Sequence, residues 1–99
     1  MGKNEVIEIV RQYKNAVLSK MDGPVTVYLY GSYSSGKARS DSDIDVAIVV
    51  PEVHDDFLKL SSMLWSITWD INPLIEPVLI DARYPSPLYN SILSTGIAV

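Results

Sequence analysis

The spacing of apolar residues in the first third of the chain predicts one helix followed by one strand. Large apolar side chains recur at i, i+4, i+7 and i+11, as on one face of an amphipathic helix: Val6, Val10, Tyr13 and Val17. This helix is predicted over about Lys3 to Lys20, and Asp22-Gly23-Pro24 breaks it. Val25 to Tyr30 is rich in β-branched and aromatic residues, which favours a strand.

The middle of the chain contains two more strand-like segments with a helix between them. Ile44 to Val50 and Leu74 to Ile80 are apolar almost throughout, as in strands of a sheet covered on both faces. Asp55 or Asp56 is positioned to cap a helix that runs to about Trp69. Its predicted inward stripe comprises Phe57, Leu60, Leu64 and Ile67.

The remaining segments complete an α/β pattern. Ser32 to Ala38 leaves room for only a short helix or turn, and a last helix is predicted from Ser86-Pro87 to a stop at Gly96. Three residues of that helix are predicted to face inward: Leu88, Ile92 and Leu93. The order αβ(α)βαβα predicts a small mixed sheet flanked by helices, in a single domain spanning residues 1–99.

Charge and composition narrow the classes of partner. The chain has 8 Lys and Arg against 12 Asp and Glu, a net charge of −4. Proteins that grip a polynucleotide usually present a basic face, so this balance argues against direct nucleic-acid binding. No apolar run approaches the ~18 residues of a membrane helix, no signal-peptide core is present, and the lack of cysteine fits a reducing compartment. We therefore expect a cytoplasmic protein without a membrane partner.

The candidate chemistry lies between the first two predicted strands. Asp43 and Asp45 stand at i and i+2 at the start of a strand, so their side chains point to the same face. Two like charges so close together repel unless a cation lies between them. The turn at Gly31-Ser32 is suited to offer backbone N–H groups to a phosphate. Together these features indicate a metal-dependent enzyme acting on nucleotides; a solvated acidic turn is the simpler alternative, but it explains Asp45 poorly.

This stretch resembles the signature of a known superfamily. Gly31-Ser32, ten intervening residues and then Asp43-Ile44-Asp45 with hydrophobic flanks is similar to the motif of polymerase-beta-type nucleotidyltransferases. The string GSYSSGKARSDSDID most resembles the small MNT-type (minimal nucleotidyltransferase) proteins. The resemblance implies the nucleotidyltransferase fold, two Mg²⁺ ions held by the Asp pair, and ATP or another NTP as substrate. It also implies that Gly31 and Ser32 bind the nucleotide phosphates and that Arg39 contacts them; a solvated loop charge is the alternative for Arg39.

Glu76 is the candidate third carboxylate. It is the only charged residue in LIEPVLI, and an ionised side chain in an apolar strand is costly unless it is paired or coordinated. In the family that the chain resembles, a later strand supplies a third acidic ligand, so Glu76 is predicted to join Asp43 and Asp45 as catalytic and metal ligands. A salt bridge to a nearby Arg or Lys is the alternative. Pro77 removes a ladder donor, which predicts that this strand lies at a sheet edge or is bulged there.

Two other motifs partly match the same region, but each lacks one residue that the motif requires. GSYSSGK, from Gly31 to Lys37, fits the phosphate-loop pattern G-x-x-x-x-G-K, but Ala38 follows where Ser or Thr would bind Mg²⁺. Asp41, Asp43 and Asp45 alternate as in a calcium-binding loop, but Val46 occupies the sixth position, where the sharp turn requires glycine.

The resemblance also implies a partner. Family members of this size commonly pair with a HEPN-domain protein as a toxin–antitoxin couple, in which the MNT-type chain is the antitoxin. We therefore expect transfer of a nucleoside monophosphate to an acceptor hydroxyl, on such a protein partner. The alternative is a non-catalytic module that keeps the fold and binds its partner or a nucleotide. Trp65 and Trp69, at i and i+4 of the predicted third helix, are interpreted as core or partner surface.

Overall fold

The computed structural model describes residues 1–39, 41–54 and 56–99. Their helices are α1 (Lys3–Leu18), α2 (Ser32–Ser35), α3 (Phe57–Ile71) and α4 (Pro87–Thr95). Their strands are β1 (Thr26–Tyr30), β2 (Ile44–Val50), β3 (Ile75–Asp81) and β4 (Ile97–Ala98). The predicted mixed α/β fold is confirmed. Only β4 was absent from the predicted order.

The strands form one mixed sheet in the order β3-β2-β1-β4. β1 runs antiparallel to β2 and β4, whereas β2 and β3 are parallel. β3 is thus an edge strand, as Pro77 predicted. The Ala82 N–H donates to the Val50 carbonyl, which shows that the backbone N–H and C=O groups of the even-numbered residues of β3 point towards β2. The nitrogen of Pro77 therefore lies on the free edge, where its missing N–H leaves no ladder bond unmade.

Helices cover the two faces of the sheet unequally. α1 and α3 pack on one face, where the buried β2 residues are Ile44, Val46, Ile48 and Val50. Tyr13 ties these two helices together, because its buried hydroxyl donates to the Leu64 carbonyl at 2.8 Å. On the other face, Ile92 of α4 packs against Ala47, Val49 and Ile80. This second cluster is small, so α4 leaves part of that face of the sheet uncovered.

The local start and stop signals agree with the sequence. The Asp56 carboxylate caps α3 by accepting from the Leu58 N–H at 2.9 Å; the alternative cap, Asp55, lies outside the described residues. Ser86 caps α4, and Gly96 is its C-cap residue. Along the described ranges, no helix is long and apolar enough to cross a bilayer.

Three residues that were predicted to face inward are partly exposed instead. Phe57 is 46% exposed, Leu88 43% and Leu93 51%. Leu93 follows the fully buried Ile92 by about 100° around the helix, so the two cannot face the same surface. Phe57 and Leu88 instead line a shallow groove beside edge strand β3.

Candidate functional site

The sheet register places three polar side chains in one row across three strands. Asp45 of β2 lies opposite Tyr30 of β1 on one side and Glu76 of β3 on the other. Neighbouring strands are about 4.8 Å apart, so Asp45 and Glu76 are adjacent carboxylates. Asp43 lies just before β2, and its charge acts on both Asp45 and Glu76, so the three carboxylates are close together. The structure thus brings together the three carboxylates that the sequence singled out.

This row lies at the uncovered end of the face on which α4 packs. The next row on that face, Tyr28, Ala47 and Val78, belongs to or packs against the apolar cluster under α4. Asp45 is half-buried, and Asp43 and Glu76 are exposed. Glu76 is therefore exposed, although its apolar neighbours in the sequence suggested burial, because no helix covers this end of the face. None of the salt bridges in the described part of the chain involves Glu76.

The carboxylates are coupled electrostatically. Partial burial raises the pKa of Asp45, and the charge of Asp43 raises it further. The pKa of Glu76 is also raised, first by loss of hydration and then by the charges of Asp43 and Asp45. A hydrogen bond with Asp43, which Glu76 can donate only when protonated, acts in the same direction. Loss of hydration is the larger cause of both shifts, and negative charge held at close range adds to it.

Tyr30 is a member of this row that the sequence analysis missed. Burial raises the pKa of its hydroxyl, and the charges of Asp45 and Glu76 add to that effect. The phenol therefore remains a neutral hydrogen-bond donor beside the carboxylates at physiological pH. Alternation along β1 could not reveal this neighbour, because only the cross-strand register brings Tyr30 to Asp45.

Gly31 brings the Gly-Ser turn against the carboxylates. Its backbone has φ 73° and ψ −144°, a conformation almost restricted to glycine. A Cβ at this position would overlap Oδ2 of Asp45 and lie 3.2 Å from its Cγ and 3.3 Å from its Cβ. The glycine is thus required twice, by the turn and by the close approach of the Asp45 side chain.

The serines that follow Gly31 divide into two groups. The Ser34 hydroxyl donates to the Gly31 carbonyl at 3.0 Å, and the Ser35 hydroxyl donates to the Ser32 carbonyl at 3.2 Å. These two side chains stabilise the single turn of α2. The half-buried Ser32 hydroxyl has no hydrogen bond to any described residue, so it remains available to a ligand.

The backbone of Arg39 is held in place within the loop before β2. Its N–H donates to Ser42 Oγ at 2.7 Å, and its carbonyl accepts from the Ser42 N–H at 3.1 Å. The hydroxyl of buried Tyr33 also donates to that carbonyl, at 3.3 Å. The side chain of Arg39 is exposed and forms no salt bridge with the described residues.

Asp81 belongs to a separate cluster at the opposite end of β3. It accepts from the Val53 N–H at 3.0 Å and from Arg83 Nη2 at 2.7 Å, and Arg83 also reaches Glu52 at 2.8 Å. Hydrogen bonds from the Arg83 side chain hold the pKa of Asp81 well below its usual range despite its burial. Five residues separate Glu76 from Asp81, roughly 17 Å along the strand. Asp81 is therefore structural and lies apart from the carboxylate row.

A cavity of about 600 Å³ also lies away from the carboxylates, between the loops that include Met21–Pro24 and Val50–His54. It contains none of the predicted site residues. The carboxylate row lies instead on an open surface, which leaves room for a triphosphate and a macromolecular acceptor.

The donor set suits Mg²⁺, a hard cation that prefers oxygen ligands. Within the described ranges, no three His, Cys, Asp or Glu side chains converge closely enough to hold one ion by themselves. Mg²⁺ is usually bound by one or two carboxylates together with substrate phosphates and water, not by a cage of protein side chains. Asp43, Asp45 and Glu76, which repel one another in pairs, fit that mode.

Comparison with known proteins points to one family. The family described as "Polymerase beta, Nucleotidyltransferase" matches residues 5–99. A protein of Methanocaldococcus jannaschii, provisionally named a protein adenylyltransferase, is 28% identical over 101 residues, which cover 96% of this chain and 99% of that protein.

Solved structures share the fold. A provisionally assigned nucleotidyltransferase from Sulfolobus solfataricus aligns with a TM-score of 0.69 at 14% identity, covering 97% of this chain and 80% of that one. A chain of the MntA-HpeT toxin–antitoxin complex aligns with a TM-score of 0.54 at 22% identity, covering 100% and 72%. A toxin–antitoxin chain solved with AMP-PNP gives 0.51 at 24% identity, covering 99% and 72%.

Proposed function

This chain belongs to the polymerase-beta-type nucleotidyltransferase family, and from that premise we propose that it transfers AMP from ATP to a hydroxyl group of a partner protein. The family predicted from Gly31-Ser32 and Asp43-Ile44-Asp45 is confirmed, and membership makes the chain a transferase enzyme.

One observation carries the proposal: Asp45 lies between Glu76 and Gly31. The register sets Glu76 beside it on β3, and the absent Cβ of Gly31 leaves space for its carboxylate. A triphosphate at the Gly-Ser turn would therefore have its reacting end beside the acidic row. The raised pKa values of Asp45 and Glu76 mark a cluster that a cation would stabilise.

The residues present divide the work between metal and nucleotide. Asp43 and Asp45 are proposed to hold two Mg²⁺ ions, one of them shared with Glu76. When bound, Mg²⁺ neutralises phosphate charge and lowers the pKa of the attacking hydroxyl. The Gly31-Ser32 turn binds the β and γ phosphates, with the Ser32 hydroxyl, which has no hydrogen bond to a described residue, as donor. The exposed guanidinium of Arg39 reaches the triphosphate.

The transfer itself requires little beyond positioning and charge neutralisation. The acceptor oxygen attacks the α phosphorus in line with the α–β bridging oxygen. A new P–O bond forms to the acceptor, the bond to the bridging oxygen breaks, pyrophosphate leaves, and the hydroxyl proton passes to solvent. The acceptor gains one nucleotidyl group.

Calorimetric titration with α,β-methylene-ATP tests the site, because the analogue cannot be cleaved between the α and β phosphorus atoms. We expect binding that requires Mg²⁺ in the natural chain and falls at least about tenfold in Asp45→Asn. Lys37→Ala is the matched control from the same loop. Its affinity for the analogue should stay within about twofold of the natural chain, because only a phosphate loop would require that lysine for phosphate binding. Mg²⁺-independent binding, or complete loss in Lys37→Ala, would overturn this arrangement.

The partner is proposed to be a HEPN-domain toxin, with this chain as its antitoxin and the reaction in the cytoplasm. The similarity to a provisionally named protein adenylyltransferase supports a protein acceptor. The net charge of −4 favours a protein over a polynucleotide. Intact-mass measurement of such a partner after incubation with the chain, ATP and Mg²⁺ should reveal the mass of added AMP. An unchanged partner mass would refute the choice of acceptor while leaving the nucleotide site intact.

A further inference from the structure

The outer face of α3 carries an apolar stripe that the catalytic site does not use. Leu58, Trp65 and Trp69 occupy positions i, i+7 and i+11 and therefore align on one side of the helix. They are 74%, 47% and 78% exposed, whereas Leu64 and Ile67 on the opposite side are buried in the core. We name Leu58, Ser62, Trp65 and Trp69 the α3 stripe.

The stripe is larger than scattered surface residues account for. An indole has up to about 250 Å² of accessible surface, so the three large side chains together expose roughly 400 Å². That value is in the range of the largest apolar patches on monomeric proteins, which often mark interaction sites. Two copies of the stripe would contribute roughly 800 Å², about half of a standard interface of ~1,600 Å².

The order of residues makes the stripe complementary to itself. When two α3 helices pack antiparallel about a two-fold axis between residues 63 and 64, Leu58 lies opposite Trp69 of the second copy. Ser62 then lies opposite Trp65, so a small side chain provides the hole for a large one. Because a two-fold axis relates the two copies, each pairing occurs twice, as an isologous interface requires.

Charge supports the same arrangement. Lys59 near the start of α3 and Asp70 near its end lie on the same flank of the stripe, at about 100° and 120° around the helix from Leu58. In the antiparallel pair, Lys59 of each copy comes within about 3 Å, along the axis, of the level of Asp70 in the other copy. The long lysine side chain spans that offset, so two opposite-charge pairs border the indoles.

We propose that the α3 stripe is the interface of a symmetric dimer of this chain. α3 packs on one face of the sheet, and the carboxylate row lies on the other. The dimer therefore leaves both rows exposed on its two outer sides. This assembly depends on α3 alone and does not require the proposed transfer reaction.

Tryptophan emission reports directly on this interface, because Trp65 and Trp69 are the two tryptophans of the chain. We expect the emission of the full-length chain to shift to shorter wavelength as its concentration rises through a Kd of about 1–10 μM. Light scattering should give twice the mass of the chain at the upper end of that range. A monomeric mass with unshifted emission at ~100 μM would overturn the proposal.

Variants separate this dimer from any other. Trp69→Ala should raise the dissociation constant at least about tenfold, whereas Leu93→Ala, at a comparably exposed apolar residue on α4, should leave it within about twofold. Lys59→Glu should weaken the dimer through like-charge contacts with Asp70, and Lys59→Glu/Asp70→Lys should restore it. A dimer unaffected by Trp69→Ala, or a charge swap without recovery, would show that another surface mediates association.

Discussion

At the scale of single residues, Asp45 combines its proposed catalytic role with an electrostatic cost in the metal-free protein. Its pKa is raised, so the folded state binds the Asp45 proton more tightly than the unfolded state does. Stability linked to this group is complete below the unfolded pKa of about 4 and is lost as the pH rises through the higher folded value. Asp45→Asn keeps the shape and removes the charge.

We therefore predict that Asp45→Asn raises the Tm of the metal-free chain by about 1–3 °C at pH 7. Below about pH 4 the difference should disappear, and transfer should fall at least about 100-fold. Thermal melts with a chelator across this pH range, together with turnover at neutral pH, check the prediction. A lower Tm at every pH would instead assign Asp45 a structural role.

Gly31 offers a test with an internal control. Gly31 and Gly36 both have positive φ, at 73° and 78°, but a Cβ at Gly36 would meet nothing within 4 Å. Alanine at Gly36, in the left-handed helical region at ψ 14°, costs roughly 1–2 kcal/mol of backbone strain, and alanine at Gly31, in the region almost restricted to glycine, costs more. Only Gly31→Ala also pushes the Asp45 carboxylate aside.

Turnover measured well below both melting temperatures should fall about 100-fold in Gly31→Ala, because small displacements of catalytic groups are costly. Gly36→Ala should retain activity within about threefold despite a lower Tm. Equal losses of activity in the two variants would mean that the overlap with Asp45 is irrelevant to catalysis.

The proposed role of Glu76 as a metal ligand is tested by a change that removes its charge and keeps its shape. Glu76→Gln should reduce the rate steeply while the affinity for Mg·ATP changes by less than about tenfold, or roughly 1.4 kcal/mol. Its Tm should not fall, because Glu76 is exposed and forms no salt bridge with the described residues. Full activity combined with a lowered Tm would remove Glu76 from the site.

At the scale of elements, the Asp81 cluster joins the two loops that follow β2 and β3. Buried Asp81 holds the Val53 N–H and the Arg83 guanidinium, whereas Glu52 adds an exposed bridge to the same arginine. The depressed pKa of Asp81 means that its contribution to stability is present above the unfolded pKa of about 4 and is lost as the pH falls through the folded value.

Asp81→Asn should therefore lower the Tm at pH 7 by several degrees, and this loss should shrink as the medium is acidified below about pH 4. Glu52→Gln removes only an exposed ion pair, so it should change the Tm by about 2 °C or less. Both variants should keep their transfer activity when assayed below their melting temperatures. A decrease in the Tm of Asp81→Asn that does not depend on pH would indicate that Asp81 stabilises the fold by packing and not by its charge.

The elements also explain how far the sequence could predict this site. Period-two alternation placed Asp43 and Asp45 on one face, because that relation is local to the strand. The neighbours Tyr30 and Glu76 depend on sheet register, which strand propensity does not specify. Strand β4 escaped prediction because two residues carry no pattern; its pairing with β1 forms only in the folded chain.

At the scale of the whole molecule, the sheet separates two surfaces with different chemistry. One face carries α1 and α3, with the exposed tryptophans beyond them, and the other carries the open carboxylate row beside α4. The nucleotidyltransferase fold thus keeps the proposed nucleotide site clear of the surface proposed for association. Substitutions on the α3 stripe and in the carboxylate row should consequently have separable effects on assembly and on transfer.

Nucleotidyl transfer is tested most directly by following two labels in ATP, one at the α and one at the γ phosphorus, with Mg²⁺ and an extract of cells that express the chain. We predict that the α label becomes attached to a protein, that the γ label leaves as pyrophosphate, and that Asp45→Asn abolishes attachment. Attachment of the γ label that depends on this chain, above the level in an extract without it, would identify phosphoryl transfer instead. Undiminished α labelling by Asp45→Asn would contradict the assignment of the carboxylate row.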